Sequence, residues 1–221
     1  MDTNDTPVRL LIFGQQGAGK GTQAARLAER YGVPHISTGD MLRAAVREGT
    51  EFGRRAKEIM DAGQLVPDEV MLGIIAERLA EPDAKAGWLL DGFPRTLQQA
   101  KDLVELVGEG GIDLAVDLSV DEAVVLERIS SRRVCTSCGA IYSTAAPPAD
   151  GSTCDRCGGA VVQRDDDTEA AVRERLALYA EQTVPAVRWF DEQGLLVTVD
   201  GTGDVDDVTG RLVAAIDRRR G

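Results

Sequence analysis

The chain has 221 residues, 43% apolar and 28% charged, with 37 acidic side chains against 25 basic ones and a net charge of −12. That length and balance fit one soluble α/β domain with a full core and small insertions. An acidic chain repels nucleic-acid phosphates and anionic lipid, so neither partner is expected, and an anionic ligand must be met by a local cluster of arginine and lysine. The start "MDTNDTPVRLLIF" lacks a basic stretch before a long apolar core, and no apolar run nears the roughly 20 residues that span a bilayer. A cytoplasmic location is therefore expected, where four cysteines stay reduced. No heptad run or internal repeat is present, which makes a monomer the default. The first six residues read as a disordered end.

"VRLLIF", Val8 to Phe13, is a short apolar run ending in glycine, as a buried parallel strand does. Thr22 to Arg30 reads as a helix with Gly32 just past its end. "VPHI" is a short second strand, and "STGDMLRAAVREG" opens a helix with Ser37 and Asp40 at capping-box spacing. "EFGRRAKEIMDAG" continues helical to Gly63, and Val70, Ile74, Ile75 and Leu79 mark a further helix after Pro67. "GWLLDGFPR" is a strand that stops at Asp91. Leu97, Ala100, Leu103, Val104 and Val107 form a helix face, "DLAVDLSV" is a strand and "DEAVVLERISSRR" a helix. Past the cysteines, "TEAAVRERLALYAEQTVPAVRWFDEQG" is one long helix kinked at Pro185. "LLVTV" is the last strand, and Val205, Val208, Leu212, Val213 and Ile216 give the last helix, with Arg218 to Arg220 at its carboxyl end. Five apolar strands alternating with helices predict a parallel sheet wound on both faces, with ligands beyond the strands' carboxyl ends. Gly14 onward and Asp91 onward fall on that edge.

The strand, the loop "GQQGAGKGT" and the helix after it are the context of a phosphate cradle. Gly14, Gly17 and Gly19 let backbone N–H groups turn inward, Ala18 adds another, the helix start adds positive dipole, and Lys20 supplies a point charge. The usual pattern has Ser or Thr directly after the lysine as a Mg²⁺ ligand. Here Gly21 stands there and Thr22 comes one place late. Mg²⁺ would then rest on phosphates, water and a carboxylate elsewhere, for which Asp91 is the natural candidate, with Asp40 second.

"GAGKGTQA", "STGDMLRAAV", "GQLVPDE", "LLDGFPRTLQQA", the paired arginines of "ERISSRR" and the late "VDGTG" together resemble the adenylate kinase family, in order and spacing, from about Val8 onward. The resemblance implies the P-loop nucleoside monophosphate kinase fold and reversible transfer of a phosphoryl group from MgATP to AMP, giving two ADP. It implies a core over 1–36, 74–126 and 169–221, an AMP-binding helical flap over 37–73, and a zinc-ribbon-like lid over 127–168. It places ATP on Gly17, Ala18, Gly19, Lys20, Gly21, Thr22, Arg128 and Arg132, with Arg128 against the adenine. It places AMP on Thr38, Arg43, Leu65, Val66, Gly92, Arg95, Gln99, Arg164 and Arg173, with Gln99 reading the adenine edge. Lys20, Arg95, Arg132, Arg164 and Arg173 would converge on the transferring phosphates. Asp166 and Asp167 fall where the family links lid to core. Two departures stand out: Gln15 and Gln16 replace a small residue and proline in the loop, and Thr198 stands where some members carry a lysine near the donor adenine.

These residue types suit that chemistry. A phosphate monoester acceptor is already anionic and needs no general base, so catalysis reduces to aligning two anions and neutralising their charge. Arginine meets phosphate oxygens in pairs and keeps its proton. A related nucleoside monophosphate kinase, or one using GTP as donor, is the nearest alternative. No N-K-x-D for guanine is present, and Asp91 opens D-G-F and not D-x-x-G, against a switch GTPase. The acidic balance argues against a zinc-ribbon nucleic-acid binder.

Cys135-x₂-Cys138 and Cys154-x₂-Cys157, fifteen residues apart, have the spacing of a structural Zn²⁺ site with four thiolates and no open position. Gly139 and Gly158 allow tight turns, and "CGAIYS" and "CGGAVV" read as hairpins around the metal. His35, the only histidine, and Trp88 and Trp189 read as packing or surface residues.

Overall fold

The computed structural model describes residues 8–49, 53–54, 57–59, 66–108, 110–164 and 167–220. Leu65, Asp166, Gly63 and the first six residues, each given an expectation above, lie outside them.

Five strands make one parallel sheet: β1 Arg9–Phe13, β2 His35–Ser37, β3 Trp88–Asp91, β4 Leu114–Ser119 and, last in the chain, Leu196–Asp200. Their order across the sheet is β2-β3-β1-β4 and then the Leu196–Asp200 strand. Period-two alternation splits β1 between two cores. Leu11 and Phe13 join Leu90, Leu103, Ile75 and Phe190 on one face, while Leu10 and Ile12 join Leu27, Leu89, Leu212 and Ile216 on the other. The central strands β1 and β3 are buried along nearly their whole length, because helices cover both faces of a parallel sheet.

The helices are α1 Lys20–Tyr31, α2 Thr38–Glu48, α3 Asp68–Leu79, α4 Leu97–Val107, α5 Glu122–Ser131, α6 Glu169–Leu178, α7 Val184–Glu192 and α8 Val205–Arg220. Gly32, at φ 64°, closes α1 by donating to the carbonyls of Ala28 and Glu29. Ser37 caps α2 by accepting from the Asp40 N–H. In α3 Ile75 is buried and Ile74 and Leu79 pack against the same core, as the apolar spacing suggests, while Val70 is exposed and Met71 takes the inward place beside it. The long helix after the cysteines is three pieces. A π-helical turn, Tyr179–Thr183, joins α6 to α7 and lies just ahead of Pro185. Pro185 has no N–H to donate, and the widened turn absorbs that loss.

A second, antiparallel sheet projects from the core. Arg132–Cys135 (β5) is its centre, flanked by Ile141–Ser143 (β6) and Val161–Val162 (β7). Helix α5 therefore stops at Ser131, and Arg132 and Arg133, expected on a helix, lie on a strand. The first cysteine loop turns β5 back into β6, the second is closed by the antiparallel Thr153–Ala160 bridge, and β7 beyond it pairs with β5, so both expected hairpins form and meet at one central strand. The last core strand, Leu196–Asp200, is β8.

Candidate active site

The glycine loop leaves β1 at Phe13 and enters α1 at Lys20. A Cβ on Gly14 would lie 2.7 Å from the Leu118 carbonyl oxygen, and one on Gly17 would lie 2.7 Å from Ile129 Cγ1. Both glycines have φ in the left-handed half of the map, 138° and 85°, so glycine is needed for contact and for conformation alike. The Lys20 ammonium donates to the carbonyls of Gly14 at 2.6 Å and Gln15 at 2.9 Å. Burial pushes it down to about 8, Asp91 pulls it back up, and Arg95 and Arg132 press it down further. Those influences place four charged groups around one point.

Asp91 ends β3 and is buried. Its Oδ2 would sit 3.9 Å from a Cβ on Gly21, so the carboxylate faces the loop across the place where the usual hydroxyl would stand. An oxygen donor on that line suits a hydrated Mg²⁺. Asp40 is placed differently: its Oδ1 takes the Arg43 guanidinium. Partial burial works against ionisation there, but Arg43 and the Ser37 hydroxyl hold the Asp40 carboxyl below its usual value. His35, read as a packing residue, has its Nε2 3.4 Å from Asp91 Oδ2.

A cleft opens beside the loop, lined by Thr38, Leu42, Val66, Met71, Gly92 and Arg95, with Gln99 behind them. Thr38 donates to the Asp91 carbonyl at 3.3 Å. Gly92, at φ 85°, must be glycine, since a Cβ there would lie 2.7 Å from Thr38 Oγ1. Arg95 donates from Nε to the Gly92 carbonyl at 2.8 Å. Burial lowers its pKa, Asp91 opposes this, and Arg175 and Arg43 press in the same direction as burial. It stays charged, since arginine does not deprotonate in proteins. The Gln99 side chain is fixed at both ends: Oε1 accepts from the Arg95 N–H at 2.7 Å, and Nε2 donates to Asp68 Oδ1 at 2.7 Å. Asp68 also accepts from the Thr96 hydroxyl, which caps α4.

Above the loop, Arg132 grips Asp167 side-on through Nε at 2.8 Å and through Nη2, and the Asp167 side chain is wholly buried. Arg128 donates to the carbonyls of Ala18 at 3.2 Å and Gly201 at 3.0 Å, tying the glycine loop to the "VDGTG" turn. The Ile141 side chain reaches within 3.9 Å of a Cβ on Gly21, so the small sheet folds over the loop. Arg164 is half-buried, and its carbonyl accepts from the Asp167 N–H. Thr22 lies half-buried in the first turn of α1.

Arg173 needs correction. It pairs with Glu169 one turn back, at 2.9 Å, on the exposed side of α6. Arg175 is the arginine that faces the loop: its Nη1 donates to Gln16 Oε1 at 3.1 Å, and its charge is felt at Arg95. The helix period could not choose between them: Val172 and Leu176 point inward, and Arg175, three residues after Val172, flanks that stripe on one side as Arg173, three before Leu176, does on the other. Asp117 was also missed. It lies within β4, level with Phe13 at the end of β1, and Tyr179 donates to it at 3.3 Å. Burial raises its pKa, while Tyr179 and Lys20 oppose the rise.

A profile of the family described as adenylate kinase matches residues 12–195. The chain is 50% identical over 214 residues to the adenylate kinase of Archaeoglobus fulgidus, covering 96% of this chain and 99% of that one. It is 52% identical over 212 residues to that of Methanosarcina mazei, and 49% identical over 208 residues to that of Kosmotoga olearia. Those matches cover 95% and 93% of this chain and 98% and 97% of the two relatives. The chain belongs to the adenylate kinase family. The match runs through the glycine loop, the cleft and the small sheet together, so the family relation covers the whole constellation and not the loop alone.

The four cysteine sulfurs of this family member all lie within 4.8 Å of one another. Two of the edges, Cys135 to Cys157 and Cys138 to Cys154, measure 3.5 and 3.6 Å. A tetrahedron of thiolates about 2.3 Å from a central zinc has edges near ~3.8 Å, so the set fits that ion. Gly139 and Gly158, both at positive φ, donate to the carbonyls of Cys135 and Cys154 in matching turns. The Tyr142 hydroxyl draws Cys154 down to about 6. Against the pull of the Gly159 N–H, Cys138 and Cys135 push Cys157 up to about 12. Four thiols this close cannot all ionise without a cation among them.

Proposed function

We propose that the protein catalyses reversible transfer of the γ-phosphoryl group of MgATP to the phosphate of AMP, giving two ADP. The observation that carries this is a glycine loop whose buried Lys20 is influenced by Arg95 and Arg132, beside a separate cleft lined by Thr38, Gly92 and Arg95, with Arg175 bonded to the loop at Gln16. An AMP phosphate oxygen attacks the γ-phosphorus, the bond from that phosphorus to the β–γ bridging oxygen breaks, and ADP leaves carrying the freed negative charge. Lys20 and the loop N–H groups hold the donor phosphates, and Arg128 lies where the donor base meets the "VDGTG" turn. Arg95 and Arg43 hold the AMP phosphate, while Thr38, Val66, Gly92 and Gln99 enclose the rest of that nucleotide. Arg132 and Arg175 meet the group in transit, and Arg164 closes the cluster from the lid exit. Mg²⁺ brought with ATP would neutralise phosphate charge, and Asp91 would hold its waters. Asp40, committed to Arg43, is the weaker support. Water is kept out by the small sheet over the loop, which limits wasteful hydrolysis. Cys135, Cys138, Cys154 and Cys157 would hold a structural zinc within that sheet. Monomeric action in the cytoplasm, with ATP, AMP and ADP as the partners, agrees with the net charge of −12 and four free thiols.

Assaying ADP formation from ATP with AMP, GMP, IMP, CMP and UMP tests this reading. AMP is expected to be the preferred acceptor, and equal use of another monophosphate would sink the assignment. The Gln99 amide predicts how the choice is made. With Oε1 and Nε2 each held by one partner of fixed polarity, the amide cannot turn over. Adenine offers a ring acceptor beside an amino donor, while a 6-oxopurine offers the reverse order. A fixed amide matches only one of them. Replacing Asp68 by asparagine frees one of the two holds, because an amide both donates and accepts. The preference for AMP over IMP should narrow by roughly tenfold with little loss of stability. An unchanged preference would show that Asp68 only links two helices.

A further inference from the structure

Gln16 stands in the glycine loop three residues before Gly19, and the structure gives its side chain two partners. Gln16 Nε2 donates to Asp167 Oδ1 at 3.2 Å. Its Oε1 accepts from Arg175 Nη1 at 3.1 Å. Asp167 is the buried carboxylate that grips Arg132 through Nε and Nη2. One side chain on the loop thus touches Arg175 directly and Arg132 through one carboxylate.

We infer that Gln16 is a positioning residue for phosphoryl transfer, coupling the glycine loop to the two arginines that reach the moving phosphoryl group. The chemistry of the site selects an amide. Only a neutral side chain with both a donor and an acceptor satisfies a carboxylate and a guanidinium at once. A carboxylate there would repel Asp167, an ammonium would repel Arg175, and a proline would offer neither bond. Oδ1 of Asp167 takes a donor from the loop and one from Arg132, so the carboxylate is fixed between the two elements. Arg132 spends Nε and Nη2 on it, which fixes the plane of its guanidinium and leaves Nη1 outside that pair. When donor phosphates sit on the loop, the same loop residue sets where both guanidinium groups stand relative to them. Loose placement of such groups lowers the rate of transfer more than it weakens binding.

The inference rests on the assignment of Arg132 and Arg175 to the phosphates, and the test separates the two. In the full chain, Gln16→Met should lower kcat about tenfold at saturating ATP and AMP, with both KM values within twofold and the unfolding midpoint unchanged. Gln16→Glu should lose more, because a carboxylate there faces Asp167 Oδ1 without a proton to donate. Turnover of Gln16→Met within twofold of wild type, or a rise in KM at constant kcat, would overturn the proposal. Arg175→Met, measured alongside, tests the underlying assignment. If it collapses turnover while Gln16→Met does not, only the role of Gln16 fails. If it leaves turnover intact, the assignment of the arginine fails as well.

Discussion

Replacing Lys20 by methionine is expected to lower kcat/KM for ATP by roughly a hundred- to a thousandfold, or about 3–4 kcal/mol of transition-state stabilisation. The side chain is the one ammonium on the loop, held by two loop carbonyls at the mouth of α1. Methionine keeps the length and loses the charge, so the protein should fold and bind nucleotide weakly. The wild-type pH dependence carries the same signature. Burial brings Lys20 down to about 8 in the free protein. Its charge, and with it kcat/KM, should therefore decline above about pH 8, since kcat/KM reports the free enzyme. Phosphates bound beside it favour the charged form, so kcat should hold to higher pH. The sign for stability is opposite. The unfolded chain keeps this proton up to about pH 10.4, while the folded chain gives it up near 8. Between those values the unfolded state binds more protons, so this group's contribution to folding stability rises with pH. An alkaline limb in kcat/KM that survives in Lys20→Met would assign the titration to another group.

The sheet was legible in the sequence because its strands are buried on both faces and read as bare apolar runs between helices, as "RLLIF" and "WLLD" do. The glycine loop was legible because its glycines answer to backbone geometry, which no other residue satisfies at Gly14 or Gly17. What sequence did not give was the direction of individual side chains. Two arginines two residues apart on a helix point to different sides, and resemblance alone chose Arg173 over Arg175. Long-range partners were equally hidden. His35 meets Asp91 across 56 positions of chain, Gln99 meets Asp68 across 31, and Gln16 meets Asp167 across 151. The first joins two strands, the second two helix starts and the third two loops, and no local pattern records them. Gln16 is instructive in this respect, since the sequence marked it as unusual while only its contacts say what an amide is for at that place.

Removing the metal expected at Cys135, Cys138, Cys154 and Cys157 should lower the unfolding midpoint by roughly 5–15 °C, through loss of the ligation that ties the two cysteine loops together. The buried apolar cluster there is Cys135, Ala140 and Cys154, with Tyr142 and Val161 partly covered. So little apolar surface cannot hold three short strands, and Ile141 and Val162 on the flanking strands are exposed. Thiolate ligation would supply what the core does not. Cys154→Ser, or a strong chelator under reducing conditions, breaks the same set, and wild-type protein purified without chelator should carry about one zinc per chain. Acidification works in the same direction, because protons compete with the metal for sulfur. The effect on catalysis follows from β5, where Cys135 ends the strand that Arg132 begins. Two residues separate a proposed metal ligand from the guanidinium proposed to meet the phosphates, so a loosened strand should cost turnover. Arg132 keeps its second anchor in buried Asp167, which lies outside the metal site. Turnover at 25 °C should therefore fall several-fold and stop short of collapse, while the thermal midpoint takes the larger loss. Metal-free protein with an unchanged midpoint would show that the sheet stands without a metal.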